Sequence, residues 1–349
     1  MNQNIKQQKF SDVNLSDPFF STLKNDYPKF ENWFNSHPDR NAYVLYDDTR
    51  NIQGFLHLKN ESGIINDIRP KINAPKILKV ATFKVVAHGT KMGEQFIKVI
   101  MDNAINQSAD LCYVTIFPKH QNLIKLVQSF GFEEYGEKGD TLNPEKVYVK
   151  DMRKITGDIN KDYPLINKNG TRKYLLSIYP QYHSVMFPDS ILTTENKDII
   201  TDISHTNSIH KIYVCSMSQV DVLKYGDVIV LYRTSDQNRS AEYSSVATSI
   251  CVVEEVKQQY EFSSFNDFFS YASQYSVFDR QDLAYWYGRG GCKTIKMTYN
   301  VALSKRIVRH DLIETIRMDR DAYWGFIPIT NQQFEDIISY GKVNPKIFI

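Results

Sequence analysis

The stretch that decides the fold of the first half runs from Ile77 to Gly93 and reads ILKVATFKVVAHGTKMG. Its first part, Ile77–Ala87, is long and rich in β-branched residues, which is typical of a central strand. A turn with two glycines follows at His88–Gly93. From Met92 to about Gln107 apolar residues recur at helical spacing. The sequence therefore predicts a strand, a glycine-containing turn and an amphipathic helix, in that order.

A turn of this kind suits a diphosphate ligand. Backbone N–H groups converge at a helix N-terminus, where the helix dipole also favours negative charge. Glycines let the backbone approach closely, and His88 and Lys91 add cationic contacts. Two glycines in a turn also occur for steric reasons alone, so that alternative stays open. The candidate cofactor-binding residues of this turn are His88, Gly89, Thr90, Lys91, Met92 and Gly93.

The elements around this stretch predict an α/β domain. Ala42–Tyr46 and Ile52–Lys59 read as an early hairpin, and Asp110–Phe117 reads as another strand. A helix with apolar positions from Leu123 to Phe130 follows and ends at Gly131. Strands alternating with two helices favour a sheet with mixed pairing.

Two motifs resemble the GNAT acetyltransferase family. His88 stands where the family's turn has Arg or Gln, Gly93 matches its last glycine, and Lys91 replaces its middle glycine. The later segment KHQNLIKLVQSFGFEEYG, Lys119–Gly136, is similar to the family's helix that ends in Gly-Phe. The resemblance covers roughly residues 10 to 152. It implies a mixed, splayed sheet and acetyl-CoA as cofactor, with Val85 and Val86 of the central strand among the cofactor-binding residues. It also implies an acyltransferase activity, the N-acetylation of an acceptor.

Acetyl transfer to an amine needs a base for the nucleophile and an acid for the departing thiolate. Many members of the family use a Tyr four residues before the glycine of Gly-Phe, a position that Val127 takes here. His120 stands where the family often has Asn and is a candidate acid or base. Glu61 is the candidate base, with Asp67 beside it, in a loop before the central strand. Both carboxylates are equally compatible with solvated loop charges, and His120 with simple exposure.

The second half has a different pattern. After a linker at residues 153–171, strand-like runs alternate with polar turns and helical segments over residues 172–349. The runs His210–Asp236 and Ser244–Val256, with Gly226-Asp227 before a barrel strand, resemble a PUA-like domain of the ASCH or EVE type. This resemblance covers about residues 172 to 341. The strand pattern by itself indicates a small β-barrel or a curved sheet with helices, an α+β fold. The resemblance implies the β-barrel and the binding of RNA or a modified base.

Within that half, one strip combines aromatic rings with cations and glycines. Rings that stack on bases beside positive charges are typical of single-stranded nucleic-acid sites. The alternative is that Trp286 and Tyr287 anchor a helix in the core. The candidate nucleic-acid or acceptor-binding residues are Tyr285, Trp286, Tyr287, Arg289 and Lys293.

Composition limits the remaining choices. A length of 349 residues favours two domains, residues 1–152 and 172–349 about the linker. A formal net charge of +2 does not by itself indicate nucleic-acid binding. The four cysteines form no CxxC, so neither a metal site nor a disulfide framework is expected. No signal or membrane-spanning segment is recognised, so we expect a cytoplasmic location.

Three functional hypotheses follow. The leading one is an acetyl-CoA-dependent N-acetyltransferase whose PUA-like module brings a nucleic acid, such as tRNA, to the active site. The second is a nucleic-acid-binding or regulatory protein whose transferase half has lost catalysis. The third is a transferase that acetylates a protein or a small amine. The sequence assigns neither the acceptor nor the oligomeric state.

Overall fold

The computed structural model describes residues 5–86, 91–187, 190, 208–235 and 240–349. The chain divides into two units, Met1–Met152 and Arg153–Ile349. We describe each unit by itself.

The first unit is built on one sheet of eight strands. They are β1 Lys6–Lys9, β2 Asn41–Tyr46, β3 Ile52–Ile65, β4 Ile68–Arg69, β5 Ile72–Val85, β6 Leu111–Ile116, β7 Glu133–Lys138 and β8 Glu145–Asp151. Their order in the sheet is β1-β2-β3-β5-β6-β8-β7-β4. Only the β5–β6 pair is parallel, and every other described pair of neighbours is antiparallel. The mixed sheet expected for this half is therefore present.

Four helices accompany this sheet. They are α1 Ser21–Asp26, α2 Phe30–Asn35, α3 Met92–Asn106 and α4 Gln121–Ser129. Pro28 separates α1 from α2, because a proline cannot donate the backbone hydrogen bond that would continue the first helix. Gly131 takes a left-handed conformation, φ 82°, just after α4. That conformation ends the helix and favours glycine.

A glycine on β3 sets the position of α3. A Cβ built on Gly54 would lie 2.2 Å from Cε2 of Phe96, whose ring is fully buried. The ring of Phe96 also packs against Phe83 of β5, with centroids 5.7 Å apart. Gly54 thus lets α3 approach the sheet closely enough to bury Phe96 beside the central strand.

The second unit contains a sheet of six strands. They are β9 Lys173–Ile178, β10 His210–Cys215, β11 Val228–Arg233, β12 Val246–Gln258, β13 Lys293–Val308 and β14 Phe326–Ile329. Their order is β10-β13-β12-β11-β9-β14, with β9 and β11 parallel. The helices are α5 Ile159–Asp162, α6 Pro180–Met186, α7 Ala241–Ser244, α8 Phe265–Ala272, α9 Arg280–Gly288, α10 Arg309–Glu314 and α11 Asn331–Tyr340.

The expected PUA-like β-barrel is not seen as a closed barrel. The sheet ends at β10 on one side and at β14 on the other, and within the described ranges these two strands do not pair. Of the five pairs of neighbouring strands that the structure describes in this sheet, four are antiparallel and one is parallel. Its longest strand, β13, was not predicted, because Lys296, Asn300 and Lys305 interrupt its apolar pattern.

The segment 153–171, expected as a linker, is packed into the second unit. Asp158 caps α5 by accepting hydrogen bonds from the backbone of Asn160 and Lys161. Tyr163 and Ile166 are fully buried, and the Ile166 N–H donates to the Ile347 carbonyl at 2.7 Å. These residues therefore form part of the second unit's core.

Among the helices that the structure describes, none combines the length and the apolar character needed to cross a membrane.

Candidate functional site

The first sheet opens at its centre, where β5 and β6 stop pairing. Their parallel ladder ends at Val80 and Val114. At the same level Val80 and Thr82 face successive residues of β3, so Ala81 between them is an extra residue, a β-bulge. A bulge bends its strand and increases the local twist. The bulge at Ala81 therefore turns β5 away from β6, and the two strands diverge as expected.

The space between the diverging strands is a cavity of about 520 Å³, which we call the β5–β6 cleft. Its sides are Val80–Phe83 of β5 and Val114–Ile116 of β6, with Phe117 directly after β6. The remaining lining residues are Leu23, Tyr27, Lys29, Phe30, Trp33, Lys79, His120, Leu123, Lys138 and Glu145. The cleft thus combines an apolar body with a few polar groups, as ligand sites do.

The predicted cofactor residues flank the end of β5 and the start of α3. Val85 pairs with Gly54 of β3, and the Val86 N–H donates to the Gln53 carbonyl at 2.8 Å. Lys91 immediately precedes α3, and Met92, its first residue, is buried. His88, Gly89 and Thr90 lie outside the described residues.

Gly93 has a packing role that the sequence did not reveal. A Cβ built on Gly93 would lie 2.7 Å from Cδ2 of Leu126 on α4. Its backbone φ is not in the left-handed region. The absence of a side chain at this position therefore serves the close approach of α3 and α4, whether or not its N–H also binds a phosphate.

His120 lies at the start of α4 and lines the β5–β6 cleft. Its Nε2 lies 2.9 Å from Oδ2 of Asp26, and Lys119 binds the same carboxylate. Burial alone would raise the pKa of Asp26, but hydrogen bonds and charge from Lys119 and His120 lower it. Since an ionised carboxylate only accepts, Nε2 of His120 carries the proton of this bond. Nδ1 is therefore the ring nitrogen of His120 that can take part in proton transfer.

The structure does not bring Glu61 to the cleft. Glu61 lies in β3 rather than in a loop, pairs with Ile77, and is absent from the residues lining the cleft. Its carboxylate accepts from Tyr113 at 2.6 Å and from Lys59 at 2.9 Å. Burial raises its pKa, but these hydrogen bonds lower it overall, which makes Glu61 a weaker base. Asp67 is paired with Lys138 at 2.7 Å.

Two cleft residues that the sequence analysis did not single out form a hydrogen-bonded pair. The Tyr27 hydroxyl donates to Oε1 of Glu145 at 2.5 Å, and the Thr115 hydroxyl donates to the same oxygen at 3.0 Å. Burial, and then the charge of Glu145, raise the pKa of Tyr27 well above its usual value. Tyr27 is the C-cap that follows α1 and Glu145 begins β8, so only the fold brings them together.

Lys79 and Lys138 both line the cleft, and their pKa values move in opposite directions: that of Lys138 is raised and that of Lys79 is lowered. Burial, and then the charge of Lys138, lower the pKa of Lys79 to about 8. Glu61 opposes this shift from 4.0 Å. The deprotonated form of Lys79 is therefore accessible near neutral pH.

The second unit carries a cavity of about 440 Å³ at the carboxyl ends of β9 and β11, which we call the aromatic cavity. Because these two strands are parallel neighbours, their carboxyl ends meet at one edge of the sheet, a common place for ligands in such sheets. Six aromatic side chains line it: Tyr179, Tyr213, Tyr232, Trp286, Tyr323 and Trp324.

Polar groups complete the aromatic cavity. The guanidinium of Arg309 stacks over the Trp324 ring, 4.4 Å from its centroid, and the ring of Tyr232 lies 5.4 Å from that of Trp324. Nε of Arg309 and Oγ1 of Thr234 are buried and have no hydrogen-bond partner within the described part of the chain. A donor and a hydroxyl left in this state are available to a ligand with a polar edge.

Of the predicted recognition strip, only Trp286 lines the aromatic cavity. Tyr285 is 58% exposed, and its hydroxyl accepts from Arg289 at 2.7 Å. Tyr287 packs on the core rings of α8, as the alternative interpretation held for it. Lys293 is buried, begins β13 and pairs with Asp221 at 2.5 Å.

No family model matches this sequence, and no curated protein matches it. Solved structures that are similar in part include an ASCH protein from Zymomonas mobilis, at 10% identity and a TM-score of 0.34, covering 48% of this chain and 94% of that one. An acetyltransferase of the GNAT family from Staphylococcus aureus is similar at 15% identity and a TM-score of 0.30, covering 42% of this chain and 98% of that one. An IAA acetyltransferase from Bacillus cereus matches at 13% identity and a TM-score of 0.31, covering 42% and 97%.

Proposed function

We propose that the first unit is an acetyl-CoA-dependent N-acetyltransferase. The observation that carries this proposal is the bulge at Ala81, which ends the β5–β6 ladder and opens the cleft between two parallel strands. Beyond Val80 the β6-facing edge of β5 has no strand partner among the described residues. An extended amide-containing chain, such as the pantetheine arm of coenzyme A, can satisfy such an edge as an added strand does.

The helix that follows supports the same ligand. The N-terminus of α3 carries the positive end of the helix dipole, and α3 is the next described element in the chain after β5. That arrangement suits a diphosphate. Lys91 at this terminus adds a positive charge that would attract a diphosphate.

Isothermal titration of the full chain with acetyl-CoA tests the cofactor assignment. We expect saturable 1:1 binding that Ala81→Trp abolishes, because its indole fills the cleft. Gln128→Trp adds the same ring at an exposed position of α4 and is expected to bind as the wild type does. No binding by the wild type, or equal binding by both variants, would remove the assignment.

For the second unit we propose recognition of a nucleobase, in RNA or as a modified base, at the aromatic cavity rather than along the strip at residues 285–293. The supporting observation is a cage of rings with Arg309 and Thr234 presenting unsatisfied polar atoms. Rings supply base stacking, and the polar atoms supply contacts with a base edge. This would make a nucleic acid, tRNA included, the acceptor or its carrier.

Fluorescence titration with short RNA oligonucleotides separates the two locations. We expect Trp324→Ala to weaken binding, by about 1–3 kcal/mol per lost stacking contact. Tyr285→Ala removes an exposed ring outside the cavity and serves as the matched control. If Tyr285→Ala weakens RNA binding and Trp324→Ala does not, the base-binding site lies along the strip at residues 285–293.

The rival function, a nucleic-acid-binding protein whose transferase half is inactive, is favoured by two specific observations. Gly93 is explained by its packing on Leu126, and Asp26 engages His120. RNA binding without acetyl-CoA binding supports this rival. Turnover without RNA binding would instead support a protein or small-amine acceptor.

A further inference from the structure

Tyr27 and Glu145 meet inside the β5–β6 cleft although they are 118 residues apart in the chain. Both hydrogen bonds that Glu145 receives, from Tyr27 and Thr115, end on Oε1. Oε2 has no hydrogen-bond partner in the described part of the chain. One carboxylate oxygen is thus used to hold the side chain, and the other remains available to a ligand in the cleft.

The surroundings of this pair favour an amine. Lys138, which also lines the cleft, has its charge engaged by Asp67 at 2.7 Å. The neighbouring walls are rings: those of Tyr27 and Phe117 lie 5.3 Å apart, and those of Phe30 and Trp33 lie 5.8 Å apart. A carboxylate among aromatic faces suits an ammonium group carried on an apolar body.

We propose that Glu145 binds and deprotonates the acceptor, a primary amine on an apolar, ring-bearing body, and that Tyr27 protonates the departing thiolate. This inference rests on the proposed transferase function. It places the acid and base on residues other than His120 and Glu61.

The proton movements balance without any further reactant. Glu145 passes the extra proton of the bound ammonium to solvent through the open cleft. The neutral nitrogen then attacks the thioester carbon, so that a C–N bond forms and the C–S bond breaks. Oε2 of Glu145 takes the second proton from nitrogen, and the thiolate takes the proton of the Tyr27 hydroxyl. Oε2 of Glu145 then releases its proton to solvent in the open cleft, and the Tyr27 phenolate takes one from solvent, which restores the starting hydrogen bond between the two side chains.

The protonation state of the pair fits these roles. Burial and the charge of Glu145 raise the pKa of Tyr27, so its hydroxyl is protonated at neutral pH and has a proton to give to the departing thiolate. Once Oε2 is protonated, Glu145 loses its negative charge, and the Tyr27 hydroxyl is free to turn from Oε1 to sulfur. The two residues therefore act in sequence rather than independently.

The test uses the full chain, with 2-phenylethylamine as the probe amine and three measurements. They are the acetyl-CoA dissociation constant, calorimetric binding of the probe to the CoA-loaded protein, and release of CoA thiol from acetyl-CoA. For Glu145→Gln we expect unchanged acetyl-CoA affinity, at least tenfold weaker probe binding, and thiol release reduced about 10²–10⁴-fold. Tyr27→Phe should keep both affinities and lose about 10²-fold or more in thiol release. Glu134→Gln, an exposed carboxylate on β7, is the matched control and should behave as the wild type.

The outcomes separate this inference from the function on which it rests. A wild type that does not bind acetyl-CoA overturns the transferase assignment together with this proposal. A wild type that binds acetyl-CoA but not the probe, or a Glu145→Gln variant with normal probe binding and thiol release, overturns only the roles of Glu145 and Tyr27. Retained melting temperatures of the variants show that the losses do not come from unfolding.

Discussion

Replacing Gly54 by Ala tests how the fold positions the cleft. The added methyl group would lie 2.2 Å and 2.5 Å from two ring atoms of Phe96, which is fully buried and cannot move toward solvent without displacing α3. Overpacking costs about 1–3 kcal/mol, and so close a contact with a rigid ring places this site at the upper end. Alanine regains about 0.5–1 kcal/mol of backbone entropy relative to glycine. The expected net loss of unfolding free energy is about 2 kcal/mol.

Hydrogen exchange measured on peptides of the first unit is the assay, because it reports that unit separately. A loss of about 2 kcal/mol speeds exchange of the most protected α3 amides by about thirtyfold. Acetyl-CoA affinity should also fall, since Phe96 packs on Phe83 of the cleft wall. Gly288→Ala, in a helix with no atom within 4 Å of the new methyl group, is the control and should not destabilise.

A second substitution tests the cause of the effect. Phe96→Leu should cost less stability in the Gly54→Ala protein than in the wild type, because the shorter side chain removes the clash. Unchanged exchange in Gly54→Ala, or additive effects of the two substitutions, would refute the reasoning.

Three further predictions follow from the structure. Gly93→Ala should destabilise the first unit by about 1 kcal/mol through its contact with Leu126, and Leu126→Ala should relieve that effect, as equilibrium denaturation of the single and double variants will show. Burial, and then the charges of two arginines, lower the pKa of His183 to about 3 from 6.5. The free energy of unfolding that this shift contributes is therefore fully present above pH 6.5 and should be lost toward pH 3, at up to about 1.4 kcal/mol per pH unit. In urea titrations at several pH values, His183→Gln should show a weaker dependence of stability on acid pH. The pKa of Lys79 is lowered to about 8 from 10.5, so the unfolded state binds more protons than the folded state between these pH values. The free energy of unfolding should therefore rise from pH 8 to 10.5, and it should rise less in Lys79→Met, as urea titrations will show.

Periodic patterns predicted the elements around the cleft well. The β-branched run after Ile77, the apolar spacing after Met92 and the helix before Gly131 all correspond to β5, α3 and α4. These are local signals, since each depends on side chains within one element. The bulge at Ala81 gave no such signal, because it arises from the pairing of β5 with β3.

The site was predicted less well than the fold. Tyr27 and Glu145 come from elements far apart in the chain, and neither lies in a motif, so only tertiary structure joins them. Glu61 has a suitable charge, but its oxygens accept hydrogen bonds from Tyr113 and Lys59, and the sequence does not show these contacts. In the second unit the rings at 285–287 were recognised, whereas Tyr232 and the pair Tyr323-Trp324 come from separate parts of the chain that only the fold joins into a cavity.

A crystal structure of the full chain soaked with acetyl-CoA will show directly whether the β5–β6 cleft binds the coenzyme. We expect the pantetheine arm to lie between β5 and β6 beyond Val80, with the thioester near Thr115 and the diphosphate at the start of α3. Density for the coenzyme elsewhere on the protein, or an empty cleft at saturating coenzyme, would contradict this expectation.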